Sequence, residues 1–206
     1  VSAISPLIKD SWSEVVFNFM SEFIRRFSDV ESVHQSYSTL LGDEDWRARF
    51  EALPPHLSND EKVLRIFKEF LKERWKFEYV VELPIRKPNR DRIFYKLVYG
   101  TRSPYGVFAF REAQAKAEKE GHAVAFEART HNTDDLFFQS EAFSSDEHAE
   151  LLMSASGVSS RANRALLPGT IKKLLSTNGP MHFRQLAALT LETVAAQEKD
   201  VKVTLT

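Results

Sequence analysis

The stretch at residues 77–106, FEYVVELPIRKPNRDRIFYKLVYGTRSPYG, constrains the fold more than any other part of the chain. Tyr79, Val80, Val81, Leu83 and Ile85, followed by Ile93, Phe94, Tyr95, Leu97, Val98 and Tyr99, are the β-branched, aromatic and aliphatic residues that suit a pleated surface. Two strands are expected. Between them, Lys87-Pro88-Asn89-Arg90-Asp91 is turn chemistry, because proline presets φ and Asn and Asp tolerate turn geometries. The apolar alternation is imperfect, so both faces of the pair are expected to be covered, as in a sheet between helices. Pro84 has no N–H to give to a ladder, so its strand needs a free edge or a bulge there. Arg86, Lys87, Arg90 and Arg92 cluster at the turn. They suit either a solubilising hairpin tip or a contact to phosphate or nucleic acid.

Composition narrows the function classes. A chain of 206 residues supports one core, or one core plus a small appendage. Its 28 basic and 29 acidic residues nearly cancel, so any attraction to nucleic acid must come from local patches. The absence of cysteine excludes disulfides and cysteine-ligated zinc or iron–sulfur centres, and it suits a reducing compartment. No apolar run approaches the roughly 20 residues of a membrane span, and the first residues, VSAISPLIKD, lack a signal-peptide hydrophobic region. A cytoplasmic setting without a membrane partner is expected. Sixteen phenylalanines point to an aromatic core.

Along the chain, residues 13–19, SEVVFNF, read as a short strand, residues 20–27 as a helix, and residues 30–41 as a helix or irregular segment closed by Gly42. A short helix is expected at 43–50, capped by Asp43 or Asp45. Residues 58–76 carry the clearest helical signature. Ser58 stands as N-cap with Glu61 three residues on, and Val63, Ile66, Phe67, Phe70, Leu71 and Trp75 form an apolar stripe. After the hairpin, a helix is expected from about 107 to 119, stopping at Gly121. Residues 122–146 read as a lid-like or extended segment, 147–154 as a short helix and 154–161 as a Ser-rich hinge. From Leu166 short helical pieces are expected, one at 169–176 ending in Asn178-Gly179 and another from Pro180 to about Gln197.

Strand, helices, long helix and a strand–turn–strand pair follow the order of the second half of a class I methyltransferase-like sheet, which closes with an antiparallel hairpin on a parallel core. The glycine-rich cofactor turn of the first half has no counterpart among the seven glycines. The expected fold class is therefore α/β, a partial Rossmann-like sheet, with the cofactor half missing. Catalytic constellations are sparse. None of the six histidines pairs at HxxxH or HExxH spacing, and neither a GxSxG elbow nor a P-loop is present. His131, Asp134 and Asp135 lie together in THNTDD, which reads as a polar loop before it reads as a metal site, and no metal is expected. Arg102, beside the start of a helix, would hold a phosphate or carboxylate, or a structural ion pair.

SEVVFNFMSEFIRRF, LLGDEDWRARF, FLKERWKFEYVVELPIR and FYKLVYGTRSPYGVFAFREAQ, in that order, resemble the C-terminal half of the three-Cys-motif partner family across residues 13–114. The matching features are a strand ending in Asn-Phe, a Gly followed by a Trp, a helix leading into Phe-x-Tyr-Val, and a strand ending in Ala-Thr-x-His-Pro-x-Gly before a helix. In that last motif this chain has Gly100 for the Ala and Ser103 for the His. The resemblance implies a methyltransferase-like fold at 1–155 and a winged-helix-like domain at 156–206. It also implies a partner protein with a three-cysteine motif, similar to radical-SAM iron–sulfur proteins, in a phage or mobile-element setting. It places Asn18 where a methyltransferase-like strand end meets the cofactor cleft; Asn18 would equally cap the following helix. S-adenosylmethionine is then expected only with an N-terminal half.

The last forty or so residues carry helix–turn–helix punctuation around Asn178-Gly179-Pro180, with Leu174, Leu175, Phe183, Leu186, Ala187 and Leu189 on a shared core. A recognition helix would fall near Lys199 and no β-wing follows; VKVTLT reads equally as a strand. Lys172, Lys173, His182, Arg184, Lys199 and Lys202 would serve a DNA or RNA contact, although Glu192, Glu198 and Asp200 dilute the charge and a plain packing module reads as well. Two functions are in view: a nucleic-acid-associated accessory protein working with the three-cysteine partner, and a fragment of an S-adenosylmethionine-dependent methyltransferase.

Overall fold

A computed structural model of the chain describes residues 8, 10, 12–20, 38, 46–87, 90–132 and 157–206. It is mixed α/β, with three strands and six helices among the described residues. The chain divides into two compact units, Val1–Ser103 and Pro104–Thr206. The boundary expected at 155/156 lies outside the described residues, as do the helix expected at 147–154 and nearly all of the helix expected at 20–27 and of the helix or irregular segment expected at 30–41.

The first unit holds β1 (Val15–Phe19), α1 (Trp46–Ala52), α2 (Asn59–Trp75), β2 (Tyr79–Lys87) and β3 (Arg90–Thr101). Its sheet has the order β1-β3-β2, and β3 is antiparallel to both neighbours. β1 and β2 therefore run parallel to each other on either side of it. Lys87 and Arg90 are register partners at the hairpin tip, and the ladder slips between Ile85 and Lys87. Pro84 sits opposite Lys96 on an edge strand one residue before that slip, which meets the requirement of a residue with no N–H.

The two-residue period puts Val15, Phe17 and Phe19 of β1 on the same face as Val80 of β2 and Val98 of β3. That face packs on the apolar stripe of α2, whose Val63, Leu64, Ile66, Phe67, Phe70, Leu71 and Trp75 are all buried. Phe17 meets Phe67 edge-on at 5.3 Å and lies 5.6 Å from Trp75, with Phe70 at 5.5 Å from the same Trp75 ring. This is the aromatic core that the phenylalanine content implied. The other face is covered only in part: Tyr79, Val81, Tyr99 and Thr101 are buried, whereas Val16 and Asn18 on β1 are exposed. There the Thr101 hydroxyl donates to Glu14 at 2.9 Å. Burial, and then the bond to Glu14, push the Tyr99 phenol above its usual range.

The ends of α2 have separate causes. At its start the Ser58 N–H donates to Glu61 Oε2 at 2.8 Å, as the capping box requires. The bonds from Ser58 hold the Glu61 carboxyl below its ordinary value. At its end Lys76 takes the left-handed conformation, φ 57°, and the helix stops. The Trp75 carbonyl is left pointing off the helix and receives Arg102 at 2.6 Å. The same guanidinium donates to the carbonyls of Ile8 at 3.0 Å, Asp10 at 3.0 Å and Ser13 at 3.3 Å, and it lies 4.6 Å from the Phe77 ring centre. Lys96, 7% exposed, is compensated by Glu82 at 3.7 Å, which also receives Lys68 of α2 at 3.2 Å.

The second unit holds α3 (Pro104–Asn132), α4 (Arg161–Asn178), α5 (Phe183–Thr193) and α6 (Glu198–Leu205). Two expectations are corrected here, and one open alternative is decided. α3 does not stop at Gly121, and residues 122–132 are helical. Proline at the first position and the alanine-rich turns outweigh the roughly 1 kcal/mol that an interior glycine costs. α4 begins at Arg161 rather than Gly169 and carries Pro168 inside it. Ser160 caps its start, accepting from the Asn163 N–H at 3.2 Å, and Gly179, φ 74°, ends it. VKVTLT, which read equally as a strand or as part of a helix near Lys199, is helical: the Gln197–Asp200 box starts α6 and buried Val201 anchors it. Among the described residues no helix is long and apolar enough to cross a membrane.

Gly100 is the sharpest packing constraint in the sheet. A Cβ built there would lie 3.0 Å from Phe77 Cδ2 and 3.2 Å from Val15 Cγ2. The aromatic ring thus occupies the space an alanine would need. Gly100→Ala is expected to cost about 1–3 kcal/mol. Urea unfolding followed by tryptophan fluorescence reads this unit selectively, because Trp12, Trp46 and Trp75 all lie in it. Partial recovery in Gly100→Ala/Phe77→Leu would assign the cost to that contact.

Candidate functional site

The candidate residues fall in two places. On the sheet unit, Arg86 and Lys87 end β2, and Arg90 and Arg92 begin β3, so the backbone gathers all four at one hairpin tip. Arg102 is not with them. Its guanidinium is committed to four carbonyls and to the Phe77 ring, so it serves the fold. Asn18 lies in β1 opposite Leu97, with its side chain exposed. The helix it was expected to cap falls outside the described residues, as do Asp134 and Asp135 of THNTDD. His131 is in the last turn of α3. Among the described residues no group of three or more His, Asp or Glu could hold a metal ion.

On the helical unit the remaining cations are held by a buried polar frame. Arg111 of α3 is 3% exposed and donates through Nε and Nη2 to the Leu191 carbonyl of α5, at 2.9 and 2.8 Å. Its Nη1 donates to Gln114 Oε1 at 2.6 Å, and Gln114 donates in turn to Glu118 at 2.8 Å. The other Glu118 oxygen accepts the Val158 N–H at 2.8 Å. One face of α3, at i, i+3 and i+7, thereby fixes both the end of α5 and the segment before α4.

That segment also fixes α6. The Ser159 N–H donates to the Ala195 carbonyl at 2.9 Å, inside the four-residue link between α5 and α6. The Ser159 hydroxyl donates to Asp200, whose Oδ2 also accepts the Gln197 N–H at 3.0 Å. Ser159 stands at φ 62°, a left-handed backbone held by these bonds. Val194 and Ala196 of the link are buried, as are Leu186, Ala187, Ala188 and Leu191 of α5 and Leu167 and Ile171 of α4.

On this frame Lys172 and Lys173 are exposed on α4, Arg184 on α5, and Lys199 and Lys202 on α6. Arg184 lies 5.1 Å from the Tyr105 ring centre, and Lys202 is paired to Glu198 at 3.0 Å. His182 is the residue before α5 and makes no side-chain cap. A cleft of about 510 Å³ opens between α3, residues 158 and 159, and the starts of α4 and α6. Its cations are Lys116, Lys119, Arg164 and Lys199. Sequence reasoning named only Lys199 of these. The available signal was the i, i+3 spacing of Lys116 and Lys119, which puts both on one face of a helix.

Comparison with family models, curated proteins and solved structures finds no match to this chain.

Asp200 is the junction of the frame. Asp200→Ala leaves the Ser159 hydroxyl without its acceptor and removes one of the two acceptors of the Gln197 N–H, with an expected loss of about 1–3 kcal/mol. Hydrogen exchange would show it first as faster exchange at the start of α6 and at Gln197, with the amides of the sheet unit unchanged.

Proposed function

We propose that the chain is a nucleic-acid-associated accessory protein, similar to the C-terminal half of the three-Cys-motif partner family, acting in the cytoplasm with a three-cysteine iron–sulfur partner rather than as a catalyst on its own. The observation that carries the nucleic-acid reading is the arrangement of α5, a four-residue link and α6 packed with α4. Two helices joined by a link of this length would suit a helix–turn–helix unit, whose second helix lies in the major groove. Here that second helix is α6, with Lys199 and Lys202 exposed, flanked by Arg184 and by Lys172 and Lys173. These cations would contact phosphates and set orientation, since lysines outside the groove carry no sequence information. The hairpin tip with Arg86, Lys87, Arg90 and Arg92 would add a second basic contact on the other unit.

The family likeness draws support from the sheet. Two parallel strands flanking an antiparallel third, with the last two joined as a hairpin, is the closing pattern of a methyltransferase-like sheet. The exit Gly100-Thr101-Arg102-Ser103-Pro104-Tyr105-Gly106 leads from β3 directly into α3. The same strand order favours the second reading, a fragment of an S-adenosylmethionine-dependent methyltransferase. The residues do not fit that cofactor, however: Asn18 is exposed, and the seven glycines form no dinucleotide-type turn. No methyl-transfer step is derived.

A mobility-shift titration with a short duplex and a single strand tests the first reading. Binding at low salt is expected, weakening steeply as salt rises. Replacing Lys172, Lys173 and Arg184 with Ala should lower the slope of log K against log salt by about 1 for each phosphate that is no longer neutralised. Absence of a shift at low salt would overturn the reading, as would a shift unchanged both by these substitutions and by Ala at Arg86, Lys87, Arg90 and Arg92. Calorimetric binding of S-adenosylmethionine by this chain would favour the second.

A further inference from the structure

We propose that the cleft of the helical unit is a binding site for a phosphate group. Lys116 and Lys119 reach it from α3, Arg164 from the first turn of α4 and Lys199 from the first turn of α6. The carboxylates that line it are Glu112 and Asp200. Asp200, 8% exposed, is held on the frame because its Oδ2 accepts from Gln197 and Ser159, and its charge offsets part of the cationic lining. Lys116 faces Glu120 at 4.0 Å, with both side chains largely exposed, a pair that screening makes weak. Lys116, Lys119, Arg164 and Lys199, from three elements, thus outnumber the carboxylates Glu112 and Asp200 in the cleft lining, in a chain whose net charge is only −1.

That pattern suits a phosphate. A phosphate ester offers several charged acceptor oxygens directed apart, so it is held best by donors arriving from separate directions. An arginine fork and lysine point charges supply them. A cleft in which positive charge predominates raises the local concentration of an anion. The cleft, of about 510 Å³, is open to solvent and has room for a phosphate group. The polar wall made by Ser159 and Gln197 is held rigid by the bonds to Asp200, so the cations are presented on a fixed frame. The phosphate would come either from a free mononucleotide or from the backbone of a nucleic acid. Only the second source depends on the helix–turn–helix reading.

Isothermal titration of the whole chain with AMP, pyrophosphate and adenosine tests the assignment. AMP and pyrophosphate are expected to bind and adenosine not. Arg164→Gln and Lys199→Gln should each weaken AMP by about tenfold, as expected when one charge-assisted hydrogen bond is removed. Arg65→Gln, on the surface of α2 in the other unit, should leave AMP binding unchanged. Glu112→Gln should tighten AMP binding, an outcome that damage to the fold cannot produce. The proposal is overturned by absence of binding to both phosphate compounds, by equal affinity for adenosine and AMP, or by unchanged affinity in Arg164→Gln and Lys199→Gln. Competition with an oligonucleotide separates the sources: displacement of AMP assigns the site to nucleic-acid phosphate, and coexistence assigns it to a small phosphate ligand. Phosphate binding without a mobility shift would sink the nucleic-acid reading while leaving the cleft assignment standing.

Discussion

The Arg102 guanidinium is where the sheet unit is tied together. α2 ends because Lys76 turns left-handed, and that turn strands the Trp75 carbonyl. A helix end buried without partners is costly, and water has poor access beside Phe77 and Phe70. Arg102, projecting from the residue after β3, supplies the missing donor and uses its remaining N–H groups on Ile8, Asp10 and Ser13. One planar cation thereby joins the end of a helix, the end of the sheet and the segment that leads into β1. Lysine could not do this, because a point charge with three donors lacks the fork geometry and the flat face that rests on Phe77. Gly100 belongs to the same arrangement: the ring that carries the guanidinium also fills the space beside the glycine.

The helical unit solves its own problem in the same way. Arg111 is buried on α3 and donates twice to Leu191, a carbonyl in the last turn of α5. Cations at helix C-termini meet both the orphan carbonyls and the negative end of the helix dipole. In each unit, then, a buried or half-buried arginine is used up by backbone. The consequence for function is direct. On the proposed reading, the charges that a partner would meet are those on α4 to α6 and around the cleft, with the hairpin tip on the other unit, while the arginine at the GTRSPYG exit belongs to the scaffold.

Much of this was legible in the residues. The β2–β3 hairpin follows from its β-branched and aromatic content, and α2 follows from Ser58, Glu61 and the stripe from Val63 to Trp75, because local chemistry and burial point the same way there. β1 followed from VVFNF for the same reason. The expectations that failed did so where packing outweighed local preference. Gly121 and Pro168 carry breaker signals, yet both sit inside helices. VKVTLT, open between strand and helix from its residues, is decided for the helix by the buried Val201 and the cap at Gln197. The role of Arg102 could not be read from sequence, since three of its four acceptors lie some ninety positions away, at residues 8, 10 and 13. The cleft was hidden for a related reason: Lys116, Lys119, Arg164 and Lys199 converge only through the link between α5 and α6 and the turn at Ser159.

The unfolding free energy of Arg102→Met tests this account most directly. Methionine keeps much of the apolar stem and removes every donor, so four carbonyls are deprived of a charged partner at once. Urea unfolding read by tryptophan fluorescence, which reports the sheet unit through Trp12, Trp46 and Trp75, should show a loss of about 3–5 kcal/mol. Arg102→Lys should recover only a small part of it. A loss within about 0.5 kcal/mol of zero, the range of an ordinary surface substitution, would contradict the central role given to this side chain and return Arg102 to the set of residues free to meet a partner.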